Sequence, residues 1–237
     1  MAAEPEIEQV ALERRGAPAL GLAVEAREPM LPEADEVFRG IYTRAGASLA
    51  SEVLAVTSAI SGEGKTTISL GLATTIAQDY PERRVLLIET DVQRPVLAAD
   101  FDLEPTPGLV EYLLERAPFE EACRVSSLEN LHLLPAGGAV SGAGRVLRSA
   151  RMASAIDALR EAYELVIVDA PAMLVNSDAL LLTDLADLVV FVVRAGVTPQ
   201  PLVNRALEQL DQTKLRGVVL NDARPATPGW LRRICGL

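Results

Sequence analysis

Ser61-Gly62-Glu63-Gly64-Lys65-Thr66-Thr67 brings together the residue types that hold a polyphosphate. Glycines in such a turn let successive backbone N–H groups converge on one anion. Lys65 supplies a positive charge that reaches β- and γ-phosphates, and the Thr66 hydroxyl is a ligand for Mg2+. Downstream, Asp169 ends the apolar run Leu165-Val166-Ile167-Val168. An acid in that place holds Mg2+ directly or through water. Glu89 and Asp91 follow another apolar run, Val85-Leu86-Leu87-Ile88, and bring two more carboxylates to a strand end. The competing readings are plain: a glycine turn for the loop and a turn-capping Asp for Asp169. Neither accounts for Lys-Thr and the acid falling in the expected order.

These residues need particular elements to position them. Val53-Leu54-Ala55-Val56 reads as a buried strand before the loop, and Ile68-Ser69-Leu70-Gly71-Leu72-Ala73 as a helix after it. The helix N-terminus adds partial positive charge at the phosphate. The spacing Ala59-x-x-x-x-Gly64-Lys65-Thr66 has Ala where the general pattern has its first Gly. Further strands are expected at Leu131–Leu134, Leu165–Asp169, Leu188–Val193 and Leu215–Asn221, each four to seven residues of mostly apolar sequence. Helical spacing over residues 108–116, 149–163, 178–186 and 199–209 separates them, with Ser149 as an N-cap. Alternating strands and helices predict an α/β fold, a mostly parallel sheet covered on both faces. Ligands bind at the C-terminal edge of such sheets.

The 237 residues fit one α/β domain and a tail, or two small domains. Residues 1–35 are rich in Glu, Ala and Pro and read as a mobile acidic tail; the domain is expected over 36–237. Net charge is −11, which disfavours nonspecific nucleic-acid binding. Two cysteines, Cys123 and Cys235, lie far apart without metal spacing, so a reduced, cytoplasmic protein is expected. His132, the single histidine, alternates with apolar residues and reads as a strand residue. No apolar run has membrane-spanning length, so contact with a membrane is expected only through a partner. Trp230-Leu231-Arg232-Arg233-Ile234 is basic and apolar; a packed terminus is the simpler reading and docking on a partner or anionic lipid the other.

With these pieces in place, the chain resembles the bacterial tyrosine kinases of capsule and exopolysaccharide assembly, in their cytoplasmic P-loop form. The matching segments are SAISGEGKTT at 58–67, TPGLVEYL at 106–113, NLHLLPAGG at 130–138, RVLRSARM at 145–152, LVIVDAPAMLVNSDALLL at 165–182, VVRAGVT at 192–198 and GVVLN at 217–221. The resemblance implies a P-loop fold of the MinD/ParA type, with ATP and Mg2+ as cofactors. Ser61 to Thr67 bind the phosphates, Thr66, Asp91 and Asp169 the metal, and Asn221 the adenine base. Lys65, Asp91, Asp169 and Glu89 are the implied catalytic groups. The implied partner is a membrane polysaccharide co-polymerase that activates the kinase. Glu36 and Arg39 match part of a helix pattern that builds a ring of subunits.

Several positions depart from that pattern. Glu89 stands where Asp is usual, Gln93 where Arg is usual, and Tyr42 where a second Arg of the ring pattern is usual. The tail, NDARPATPGWLRRICGL, lacks the tyrosines that such kinases phosphorylate. A nucleotide-sensing regulator of the co-polymerase, slow or silent in phosphotransfer, is therefore an alternative. A positioning ATPase of the MinD/ParA type is disfavoured by Ile60, since that class carries a lysine there to reach across a dimer.

Overall fold

A computed structural model describes residues 23–24, 32–47, 50–138 and 142–223. Eight strands form one sheet: β1 (Ala23–Val24), β2 (Glu52–Ser58), β3 (Val85–Glu89), β4 (Arg124–Ser126), β5 (Leu131–Leu134), β6 (Leu165–Asp169), β7 (Leu188–Arg194) and β8 (Leu215–Asn221). Their spatial order is β1-β4-β5-β3-β6-β2-β7-β8. Every pair is parallel except β4 with β5. The mostly parallel sheet expected from sequence is therefore present.

The strands' period of two divides their side chains between two cores. From β2, Val53 and Ala55 join a cluster with Met152, Ile156 and Leu159 of α7 (Ala150–Ala162). Leu54 and Val56 point the other way, to Leu72 and Ile76 of α2 (Lys65–Asp79). Both faces are covered, which is why the central strands read as continuous apolar runs rather than alternating ones. On the α2 face lies α1 (Pro32–Ala45). A Cβ on Gly71 would meet the Phe38 ring at 2.2 Å, so glycine there lets the two helices approach closely.

The remaining helices are short: α3 (Leu97–Asp100), α4 (Leu109–Leu113), α5 (Phe119–Ala122), α6 (Ala143–Leu147), α8 (Asp178–Leu185) and α9 (Gln200–Leu207). Ser149 occupies the N-cap position of α7, but its hydroxyl donates to the Val146 carbonyl at 2.6 Å instead of accepting from the helix. Within the segment read as a tail, Ala23–Val24 pairs with β4, with Ala23 opposite Val125. Pairing along a sheet edge is made by main-chain groups, which leave little trace in side-chain pattern. The expected domain start at Glu36 falls inside α1. Trp230–Ile234 and Cys235 lie outside the described residues.

Candidate active site

Because β2, β3, β6, β7 and β8 run parallel, their C-terminal residues share one edge: Ser58, Glu89, Asp169, Arg194 and Asn221. Glu89 and Asp169 are direct neighbours across β3 and β6. The Ser61–Thr67 loop passes over this edge into α2, whose first residue is Lys65.

The loop's shape depends on Gly64 and Glu63. Gly64 has φ +92, and a Cβ there would lie 2.1 Å from the Asn221 side-chain nitrogen. Only glycine accepts both the backbone angle and that approach. The Glu63 side chain, 1% exposed, turns inward as a brace. Its carboxylate accepts from the Ile60 N–H at 2.7 Å, the Arg194 N–H at 3.2 Å and the Thr198 hydroxyl at 2.5 Å. Sequence counts Glu63 among the phosphate-binding residues; the fold turns its side chain to β7 instead, which leaves its backbone for that role, and nothing in its neighbours signals the tie.

Thr66 and Asp169 meet. The Thr66 hydroxyl donates to one Asp169 carboxylate oxygen at 2.6 Å, and the Ser69 hydroxyl to the other at 3.2 Å. Ser69 escaped the sequence reading, although it lies three residues beyond Thr66 and hence on the same helix face. Burial pushes the Asp169 carboxyl up to about 6; the Thr66 hydrogen bond and the Lys65 charge oppose the rise, and the Glu89 charge adds to it. Lys65 is itself buried. Among the described residues it makes no ion pair, leaving its charge for an incoming anion. An oxygen pair of hydroxyl and carboxylate, beside an uncommitted ammonium, fits a hard divalent cation carried by a polyphosphate.

Glu89 and Asp91 are placed differently from each other. Glu89 is 1% exposed, and three backbone N–H groups donate to its carboxylate. Val96 and Leu97 donate to one oxygen at 2.5 and 2.9 Å, and Ala136 to the other at 3.1 Å. Desolvation raises its affinity for a proton, against those three bonds. The extra methylene of Glu thus carries the carboxylate to the start of α3 and to the turn after β5. Asp91, two residues on, is partly exposed in the loop after β3, and its carboxylate is free of hydrogen bonds among the described residues. Asn221 donates from its amide nitrogen to the Glu63 carbonyl at 2.9 Å and accepts from the Asp222 N–H at 3.0 Å. Each end of the amide keeps one further hydrogen-bonding capacity.

Elsewhere, the side chains of Glu36, Arg39 and Tyr42 are used within the chain. Arg39 bonds Glu36 at 2.8 Å and Asp79 of α2 at 2.7 Å, and the Tyr42 hydroxyl donates to Asp79 at 2.6 Å. His132 is buried in β5 with Nδ1 2.6 Å from the Tyr163 hydroxyl, a strand residue as read from sequence. Burial pushes the Cys123 thiol up to about 12, which leaves it protonated and unreactive. Among the described residues no group of three or more His, Cys, Asp or Glu side chains is arranged to hold a metal, and no helix is long and apolar enough to cross a membrane.

Sheet order, loop and edge acids together define a P-loop nucleoside-triphosphate-binding fold. A family profile described as an AAA domain matches residues 51–214. The tyrosine-protein kinase YwqD of Bacillus subtilis (strain 168) is 34% identical over 168 residues, 70% of either chain. The succinoglycan biosynthesis transport protein ExoP of Rhizobium meliloti (strain 1021) is 37% identical over 176 residues, which is 72% of this chain but 22% of ExoP. Among solved structures, the chimerical protein CapA2B2 superposes with a TM-score of 0.76 at 27% identity, covering 87% of this chain and 96% of that one. The chain belongs to the bacterial tyrosine-kinase family of capsule and exopolysaccharide biosynthesis.

Proposed function

We propose that this chain binds ATP with Mg2+ at the C-terminal sheet edge and transfers the γ-phosphate to a protein tyrosine in polysaccharide assembly. The observation that carries the reading is the Thr66 hydroxyl 2.6 Å from the Asp169 carboxylate, with Lys65, which has no ion pair among the described residues, one residue away. Thr66 and Asp169 hold Mg2+, with Asp91 as a further acid at the metal. The ion, when bound, neutralises charge on the β- and γ-phosphate oxygens. Backbone N–H groups of residues 61–67 orient the phosphates, and Lys65 binds the oxygens on which charge develops. Asn221, already anchored to the loop, offers its remaining donor and acceptor to adenine. The tyrosine oxygen attacks phosphorus in line, the bond from phosphorus to the β-phosphate oxygen breaks, ADP leaves, and Asp91 takes the phenolic proton.

The acceptor is a tyrosine of another protein or an internal one. Tyr42 and Tyr163 are buried and their hydroxyls are engaged with Asp79 and His132, whereas Tyr80 and Tyr112 are half-buried. A membrane polysaccharide co-polymerase suits the role of activator and would place the chain at the cytoplasmic membrane face. Glu36 is exposed and Arg39, paired with it and with Asp79, is half-buried; these are the residues through which homo-oligomers would form.

A second reading is favoured by Glu89. With all three of its hydrogen bonds spent on backbone, one carboxylate fewer serves the reaction, and the chain then acts as an ATP-binding regulator of the co-polymerase. Labelled ATP and Mg2+, with and without the partner's cytoplasmic fragment, separate the two. The kinase reading expects phosphotyrosine that disappears in Asp91→Asn. Phosphotyrosine absent under all conditions, with ATP binding retained, would leave the regulator.

A further inference from the structure

Away from the sheet edge, α4, α6 and the start of α7 enclose an open cavity of about 500 Å3. Leu113, Leu114 and Val146 form an apolar part of its wall, and Arg116, Arg145 and Arg151 line the rest. Three arginines lining one cavity run against the charge of a chain with 33 acids and 22 bases. Arg151 is held in place: it donates to the Leu113 carbonyl at 3.1 Å and pairs with the exposed Glu115 carboxylate on the rim. Among the described residues Arg116 and Arg145 have no ion-pair partner. Both are exposed.

We infer that this cavity binds a phosphotyrosyl side chain. Guanidinium forks match phosphate oxygens bidentately, and two uncommitted ones together with a third already holding a carboxylate make a dianion the favoured guest. The apolar wall adds what a bare phosphate does not use, a surface for an aromatic ring. The volume exceeds that of a phosphate ion and leaves room for the ring. Choosing an aryl phosphate among anions rests on the kinase reading above; the arginine lining does not. The site is also joined to the nucleotide edge. The helix α6 carries Arg145 into the cavity, and Arg148 just beyond it pairs at 2.6 Å with buried Asp178, in the segment that follows Asp169.

Fluorescence anisotropy on the full chain tests this, with a labelled peptide bearing one phosphotyrosine between Gly and Ser residues. It is run with ADP and Mg2+ in excess and again on Lys65→Met, so that the P-loop does not report as the phosphate site. Binding is expected in both, weakening as salt rises, with none for the unphosphorylated peptide. The double variant Arg116→Ala/Arg145→Ala should bind at least about tenfold more weakly, and its unfolding temperature, measured alongside, should stay at the wild-type value because both side chains are exposed. Unchanged affinity in that folded double variant, or equal affinity for the unphosphorylated peptide, would overturn the proposal. So would inorganic phosphate competing at the same concentration as free phosphotyrosine. ATP transfer is assayed separately: its absence with phosphopeptide binding intact counts against the kinase, and the reverse counts against this site.

Discussion

Replacing Glu89 by Asp shortens a buried, three-fold hydrogen-bonded side chain and should weaken the protein. Aspartate is shorter by a methylene and cannot span to Val96, Leu97 and Ala136, whose N–H groups now share one carboxylate. Val96 is 40% exposed, so its N–H can turn to water. Leu97 and Ala136 are each 1% exposed and have no such recourse. A buried donor left without an acceptor costs about 1–3 kcal/mol, and the two together set a loss of at least about 2 kcal/mol. For a chain of this size that corresponds to roughly 4–8 °C in unfolding temperature. Denaturant unfolding gives the free energy, and amide exchange by NMR gives the location: protection should fall at Leu97 and Ala136 and hold at Val56 in the core. Stability within about 0.5 kcal/mol of wild type, with both amides still protected, would refute the reasoning.

Gly64→Ala should abolish tight nucleotide binding and cost at least about 1 kcal/mol, because the new Cβ meets Asn221 and φ +92 strains any L side chain; adding Asn221→Ala should restore part of the stability but not the binding, as read by calorimetry. His132 gives a pH dependence. Burial lowers its pKa from 6.5 in the fold, so the unfolded chain binds the proton first and stability is lost as pH falls below about 6.5. The loss approaches about 1.4 kcal/mol per pH unit. Glu89 and Asp169, whose pKa values are raised, act with the opposite sign, so the measurement is the difference between wild type and His132→Gln unfolded in urea from pH 7.5 to 5; a difference that stays constant with pH contradicts the assignment.

Much of the scaffold was legible because buried parallel strands leave uninterrupted apolar runs. Leu131–Leu134, Leu165–Asp169 and Leu215–Asn221 have the bounds read from sequence. Local motifs were legible too, since Gly64, Lys65 and Thr66 are adjacent and their order alone implies the turn. What escaped was set by contacts between distant residues. Glu89 looked like an edge carboxylate until its three amide donors, seven, eight and 47 residues away, were located. Glu63 reads in sequence as one of the phosphate-binding residues, and the donors to its carboxylate lie on β7 and after it. Arg39 matches a subunit-contact pattern, and its ion pair with Asp79 of α2, 40 residues away, was not legible beside it. Side-chain direction at such positions follows from tertiary packing, which no local spacing encodes.

The claim beneath all of these is that Lys65 and the Thr66–Asp169 pair hold the phosphates and metal of ATP. Titration of the purified chain with ATP and Mg2+ by calorimetry tests it most directly. The account predicts saturable binding by wild type that requires Mg2+ for full strength and is lost in Lys65→Met and much reduced in Asp169→Asn. Wild-type protein with no affinity for ATP, or Lys65→Met binding as tightly as wild type, would contradict it.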